Sequence, residues 1–409
     1  MQQKESQSWR KWAILISIGI VQFVGNFTQY QMSPIAARII EELGLTATEY
    51  ASAFSAPMAP AVFFSLVVGI VVDKLGVKKP VALALSVTVI GLVLRVFAFN
   101  YAMLYLSLFL IGFGIMLVNV NGSKILSQWF PKEKVGVLLG IALAMASAGQ
   151  AAALVTGALF PSTRASYLFA VALGCVSLGW WLVFGKDKEP SAKEAASQEA
   201  APPIGQCIKV VVKNRYMWIC GLCMMMTTVG GVAVASMMPS ALATRGVDSV
   251  TAGVVSSAFT IGGLVGCILV PSLVSRFGGR RRLILATLSV IFAIGILFGW
   301  RAPIGVPLFA VMFVTGICMG GMGPVMTAIP LQLPEIGPLY AGTAGGVIST
   351  LQLLGPVVVL PYIITPAAGG DFHRYFAMAA VCVVILLVLC FFLPASVAKT
   401  LRHSSKKKK

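Results

Sequence analysis

Long apolar runs alternate along the chain with short polar interruptions. The runs fall at about 12–32, 50–72, 80–100, 102–128, 135–160, 165–184, 216–240, 250–274, 283–300, 306–330, 340–364 and 373–394. Each is long enough, as a helix, to cross the ~30 Å hydrocarbon layer of a bilayer. The runs are continuous and lack the ten-residue alternation of spanning strands. The pattern predicts an all-α polytopic membrane protein with twelve transmembrane helices. One interruption is much longer than the rest: residues 185–214 are rich in Ala, Ser, Glu and Lys, carry a Pro-Pro, and read as a cytoplasmic linker. Within it, Ile204–Val212 is a candidate interfacial helix. The expected organisation is a six-helix bundle over 1–184, the linker 185–214, a second six-helix bundle over 215–398 and a basic cytoplasmic tail over 399–409.

Composition agrees with lipid as the main solvent. The chain is 58% hydrophobic and 11% charged, against about 45–50% and 25% for a soluble domain. A net charge of +18 would suit a nucleic-acid partner, but the charges lie in clusters between apolar runs, so no nucleic-acid partner is expected. With the N-terminus inside, 24 of the 31 Lys and Arg fall in inner segments, five in outer loops (Arg38, Arg164, Arg245, Arg301, Arg374) and two, Arg95 and Lys124, inside spans. This bias places both termini in the cytoplasm of a multi-pass plasma (inner) membrane protein. The first apolar run is too long for a cleaved signal peptide and lacks a small-residue cleavage site. Eight cysteines are scattered, mostly in spans, and read as small buried hydrophobes, the Cys220/Cys223 pair included. Neither His373 nor His403 has ligand-like company, so no metal and no cofactor is expected. No HExxH, Ser/His/Asp set or phosphate loop occurs, so an enzyme is not expected.

Two stretches repeat at one offset. Gly69-Ile-Val-Val-Asp73-Lys74-Leu-Gly76-Val-Lys78-Lys79 superposes on Pro271-Ser-Leu-Val-Ser275-Arg276-Phe-Gly278-Gly-Arg280-Arg281 with a shift of 202 residues. Gly140 and Gln150 superpose on Gly342 and Gln352 at the same shift. The halves therefore read as duplicated, an arrangement typical of transporters. Gly69 and Gly76 suit a close helix approach and a tight turn. Asp73 is a lone acid among Lys74, Lys78 and Lys79, placed to hold a helix N-terminus or a base in one conformation only.

The run GxxxD[RK]xGx[RK][RK] between spans 2 and 3 of a six-plus-six chain resembles the signature loop of the Major Facilitator Superfamily. The resemblance implies two pseudo-symmetric six-helix bundles around a central cavity that opens alternately to each side. It casts Gly69, Asp73, Lys74, Gly76, Lys78, Lys79, Arg276, Gly278 and Arg280 as a conformational latch, weaker in the second half, where Ser275 replaces the acid. Drug/proton antiporters of the family usually carry an Arg where this chain has Leu108, and a Gly-Pro in span 5 that is missing between Val135 and Phe160. The stretch from Arg95 to Pro131, with Gly112-Phe-Gly114, Asn119, Asn121 and Trp129-Phe-Pro131, is more similar to small-anion and organic-anion carriers. The implied activity is alternating-access movement of a small organic anion by a monomer, with or without a coupling proton or counter-substrate. Export of drugs or of neutral or cationic metabolites is the alternative.

Polar groups inside spans are costly and mark cavities or helix contacts. Gln22, Asn26, Gln29 and Tyr30 recur on one face of span 1. Gly114, Leu117, Asn121, Lys124 and Gln128 share about a quarter of the wheel of span 4, and spans 1 and 4 line the cavity in the family that the chain resembles. The expected substrate-binding set is Asn26, Gln29, Tyr30, Asn121, Lys124, Gln150, Gln352 and Arg95. Each amide reads equally as interhelical glue. Lys124 reads equally as an anion's counter-charge or as a side chain snorkelling to the cytoplasmic interface; for Arg95, near the outer end of span 3, snorkelling is the favoured reading. None of the thirteen Asp and Glu lies at mid-span, so the expected cavity is neutral to positive.

Overall fold

The computed structural model describes residues 2–185, 204–277, 280–329, 333, 336 and 341–393. Among them there is no strand; the chain is helix joined by short turns. The helices are α1 (Gln2–Tyr30), α2 (Ala36–Leu43), α3 (Ala47–Ser55), α4 (Ala59–Leu75), α5 (Lys78–Val96), α6 (Tyr101–Trp129), α7 (Lys132–Thr156) and α8 (Thr163–Phe184). They continue with α9 (Ile204–Lys213), α10 (Arg215–Ala243), α11 (Ser249–Arg276), α12 (Arg281–Phe298), α13 (Val306–Thr327), α14 (Ala341–Leu354), α15 (Thr365–Ala368) and α16 (Phe372–Phe392). The expected interfacial helix in the linker is α9. The rest of the linker, 186–203, and the basic tail lie outside the described residues.

Eleven of the described helices are long and apolar enough to span a bilayer, where the hydrophobic pattern predicts twelve. The difference is the second expected span. It is helical on either side of a 3-10 turn at Ala56–Met58, with Pro57 at the start of the turn and Pro60 at the start of α4. Each proline removes a backbone donor, so the helix is interrupted where they cluster. Local chemistry sets other boundaries. Thr46 and Glu49 form a reciprocal capping box at the start of α3, and the Thr46 N–H and hydroxyl hold the Glu49 carboxyl below its ordinary range. Asn100 and Ser162 accept from the Met103 and Ala165 N–H groups at the starts of α6 and α8. The last turns of α4 end on Gly76, whose φ of +76° favours a residue without Cβ.

By contact density the chain divides into two compact units: Met1–Glu199 with Ala235–Ser257 and Leu360–Pro366, and Ala200–Val234 with Ala258–Val359 and Ala367–Lys409. In the first, α1 packs on α6, α7 and α8, while α5 packs on α6 and α8. Ile14, Ile18, Val21, Leu117, Val118, Leu138 and Trp181 form a core of this unit. Trp181 also donates its indole N–H to the Lys78 carbonyl at 3.1 Å, tying the end of α8 to the start of α5. Ser33, in the turn after α1, donates to the carbonyls of Ala235 and Ser236, each at 2.8 Å.

In the second unit, α12 packs against α13 and α16, and α9 against α14. Helices α11 and α13 meet backbone on backbone. A Cβ on Gly262 or Gly266 would overlap the carbonyls of Phe313 or Ile317, and one on Gly316 or Gly320 those of Phe259 or Gly263. Beyond α14, Gly355–Ile364 is a ten-residue π-helical stretch containing Pro361. Exposed Phe63, Leu83, Ile268, Leu283, Phe391 and Phe392 are the residue types expected of surfaces turned to acyl chains.

Candidate functional site

Along the polar face of α1, Gln22 meets α6, Asn26 its own helix, and Gln29 and Tyr30 the end of α3. Gln22 is buried and donates to the Asn119 side-chain carbonyl at 2.7 Å. Asn26 donates to the Gln22 backbone carbonyl at 2.9 Å, within α1. Gln29 reaches out of its helix to the Phe54 carbonyl at 3.0 Å. The Tyr30 ring meets Phe54 edge-on at 5.4 Å. So Gln29 and Tyr30 both fix the end of α1 to the end of α3, next to the proline-broken turn.

On α6, Asn121 is buried and donates to the Leu117 carbonyl at 3.1 Å. Lys124 follows three residues on, half-buried. Two glycines bring the neighbouring helices close to α1: a Cβ on Gly25 would overlap the Ile115 side chain of α6, and one on Gly149 the Phe23 carbonyl. The α7 backbone therefore rests directly on α1, and half-buried Gln150 follows that contact by one residue. Gln352 is half-buried in α14 of the second unit.

Arg95 departs from expectation. It does not snorkel: it is 1% exposed inside the first unit. Its Nη1 donates to the Thr28 carbonyl at 2.7 Å, and its guanidinium carbon lies 3.9 Å from the centre of the Tyr167 ring. The carbonyl and the ring supply part of what the outer interface would have supplied. Thr28, Gln31, Ser33, Ser166 and Tyr167 were not singled out by the sequence pattern, because hydroxyls and lone amides at helix ends have no distinctive spacing.

Of the latch residues, Gly76 ends α4 and Lys78 begins α5, with Lys79 exposed beside it. Arg276 ends α11, and Arg280 precedes α12; both are exposed. The Gly69 position and the side chains of Asp73 and Lys74, together with Gly278, lie outside the residues described at that level.

The sequence profile of the Major Facilitator Superfamily matches residues 18–360. The chain belongs to this superfamily. The probable sulfoacetate transporter SauU of Cupriavidus necator is 26% identical over 190 residues, covering 44% of this chain and 43% of that one. The glucose transporter GlcP of Staphylococcus epidermidis is 31% identical over 153 residues, covering 36% and 32%. The matched stretches thus span less than half the length of either relative. Among solved structures, a bacterial homologue of the human lysosomal transporter Spinster, inward-facing and unoccupied, superposes with a TM-score of 0.75 at 13% identity over 94% of this chain and 96% of that one. The nucleoside transporter NupG superposes with a TM-score of 0.72 at 16% identity, over 93% and 98%. The Major Facilitator fold therefore extends over nearly the whole chain.

Proposed function

We propose that this protein is a secondary or facilitative transporter that moves a small organic anion across the plasma (inner) membrane by alternating access. The reading treats 1–184 and 215–398 as the two halves of a monomer, both termini in the cytoplasm, with or without a proton or counter-substrate as the coupling partner. The single observation that carries it is Lys124. A lysine on the polar face of α6, one turn from buried Asn121, is a cation placed for an anionic group. A probable sulfoacetate carrier among the relatives supports an anionic cargo. In this reading Asn121 flanks Lys124, Asn26, Gln29 and Tyr30 meet the cargo farther along α1, and Gln150 and Gln352 supply symmetric amides. Arg95 acts from within its own unit.

A neutral, hydroxyl-rich cargo is the second reading, favoured by the glucose and nucleoside transporters among the similar proteins. It assigns recognition to Gln150, Gln352 and the Gln22–Asn119 pair. A thermal-shift screen of purified protein against organic anions, sugars and nucleosides names the cargo class, since a ligand of the folded state raises its stability. Titration of the hit against variants then separates the readings. Anion recognition requires Lys124→Gln to lose about 2 kcal/mol or more of binding and Lys124→Arg to keep part of it. Unchanged affinity in Lys124→Gln, with losses in Gln150→Ala and Gln352→Ala, transfers the assignment to the neutral reading.

A further inference from the structure

Arg95 is a full positive charge inside the membrane-spanning part of the first unit. An arginine keeps its proton in proteins, so it stays a cation there, and charges buried in a membrane helix bundle ordinarily pair. Of the guanidinium's three nitrogens, Nη1 is committed to the Thr28 carbonyl. Nε and Nη2 are buried and have no hydrogen-bond partner among the described residues. These two form the edge whose N–H bonds run parallel, the bidentate face that matches an anion. Two more buried hydroxyls on the adjoining helix are in the same state. Tyr167 carries the ring under the guanidinium, and Thr163 precedes it by one turn on α8; neither oxygen has a partner among the described residues. Ser166, between them, is already donating to Gln31 at 3.2 Å.

Among the described residues no carboxylate pairs with Arg95. Glu42, whose charge acts on Tyr167, is exposed at the end of α2 and forms no ion pair with Arg95 among the described residues. The cation–π contact with Tyr167 offsets part of the charge, but it leaves the bidentate edge without an acceptor.

We propose that Arg95 Nε and Nη2, with the hydroxyls of Tyr167 and Thr163, bind a small inorganic monoanion of the chloride or nitrate class inside the N-terminal helix bundle, as a structural counter-ion separate from the transported cargo. The separation follows from the hairpin that α5 and α6 make. Arg95 lies in the last turn of α5, next to the connection, whereas Lys124 lies 23 residues into α6, ~35 Å along its axis at 1.5 Å per residue. One small ligand does not touch both.

The test uses the full chain in lipid nanodiscs. Thermal unfolding midpoints are measured in sodium gluconate and as gluconate is replaced by chloride, bromide or nitrate at constant ionic strength. Wild-type protein gains several degrees in a saturable way. Lys124→Gln keeps that gain, and Arg95→Met loses it. Should Arg95→Met fail to fold, the double variant Thr163→Val/Tyr167→Phe retains the guanidinium and needs about tenfold more anion for the same gain. The proposal is overturned by an absent shift in wild-type protein, by an equal shift in Arg95→Met, by an unmoved midpoint in the double variant, or by a shift that follows Lys124 instead.

Discussion

Gln22 and Asn119 illustrate what a polar side chain costs and contributes in a helix bundle. The Gln22 side chain is buried and its amide nitrogen donates to the Asn119 oxygen. Asn119→Ala removes that acceptor and leaves the donor unmet, a penalty of about 1–3 kcal/mol. Gln22→Leu with Asn119→Leu removes both partners together and costs much less. Thermal unfolding of the two variants, compared as a difference, reads this directly; equal losses would mean that the pair carries no coupling. Gly76 makes a second residue-scale prediction. At φ +76° an alanine is strained, so Gly76→Ala loses on the order of 1 kcal/mol of stability. Both effects rest on single atoms, which is why the sequence exposed them unevenly. Spacing alone places Gln22, Asn26, Gln29 and Tyr30 on one face. It does not say that the Asn26 and Gln29 amides are committed to the Gln22 and Phe54 carbonyls. Arg95 is the sharpest failure: its distance from the end of the run favours snorkelling, and only the folded positions of the Thr28 carbonyl and the Tyr167 ring reverse that.

At the scale of elements the sequence was far more legible. Length and apolar content fix a spanning helix with little help from neighbours, because lipid leaves the backbone no other place to satisfy its hydrogen bonds. Interruptions are harder to read. Pro57 and Pro60 break the second span into two helices and a 3-10 turn, although hydropathy runs through them unchanged. The α11–α13 seam was also hidden, since a glycine's value lies in what approaches it. Gly316→Leu places a side chain where the Phe259 carbonyl now sits. Overpacking of this kind costs typically about 1–3 kcal/mol, and more when the obstacle is backbone. The expected outcome is a lowered unfolding midpoint and poor yield from membranes, whereas Gly345→Leu, with open space around its Cα hydrogens, leaves both near wild type.

At the scale of the whole molecule, charge asymmetry carries the orientation. Single-cysteine variants Arg164→Cys and Arg301→Cys should react with a membrane-impermeant thiol reagent added to intact cells, and Ser197→Cys in the linker only after lysis. The background for this experiment replaces the native cysteines, because Cys175 and Cys267 are exposed on their helices. Labelling of position 197 from outside would invert the assignment. The signature loop adds a functional test: if it acts as a latch, Asp73→Asn should slow transport while leaving insertion and thermal stability near wild type, because the latch would lose a charge contact made in one conformation only. Unaltered transport kinetics would make the loop a turn and nothing more. Family membership was legible from that loop alone; the cargo was not, since amides and one lysine fit several chemistries.

The π-helical stretch Gly355–Ile364 has a mechanical consequence. A π turn holds more residues than an α turn, so the stretch is a reserve of backbone length within an otherwise taut rod. Passing one residue between the two windings turns everything beyond it by about 100° and shifts it by about 1.5 Å along the axis. The carbonyl of Leu360 already serves the Thr365 hydroxyl at 2.9 Å, so a side chain stands ready to hold the wider winding. A slip of one residue in this stretch would screw the far end of the rod that carries Gln352 round without bending it, a motion that no proline hinge provides.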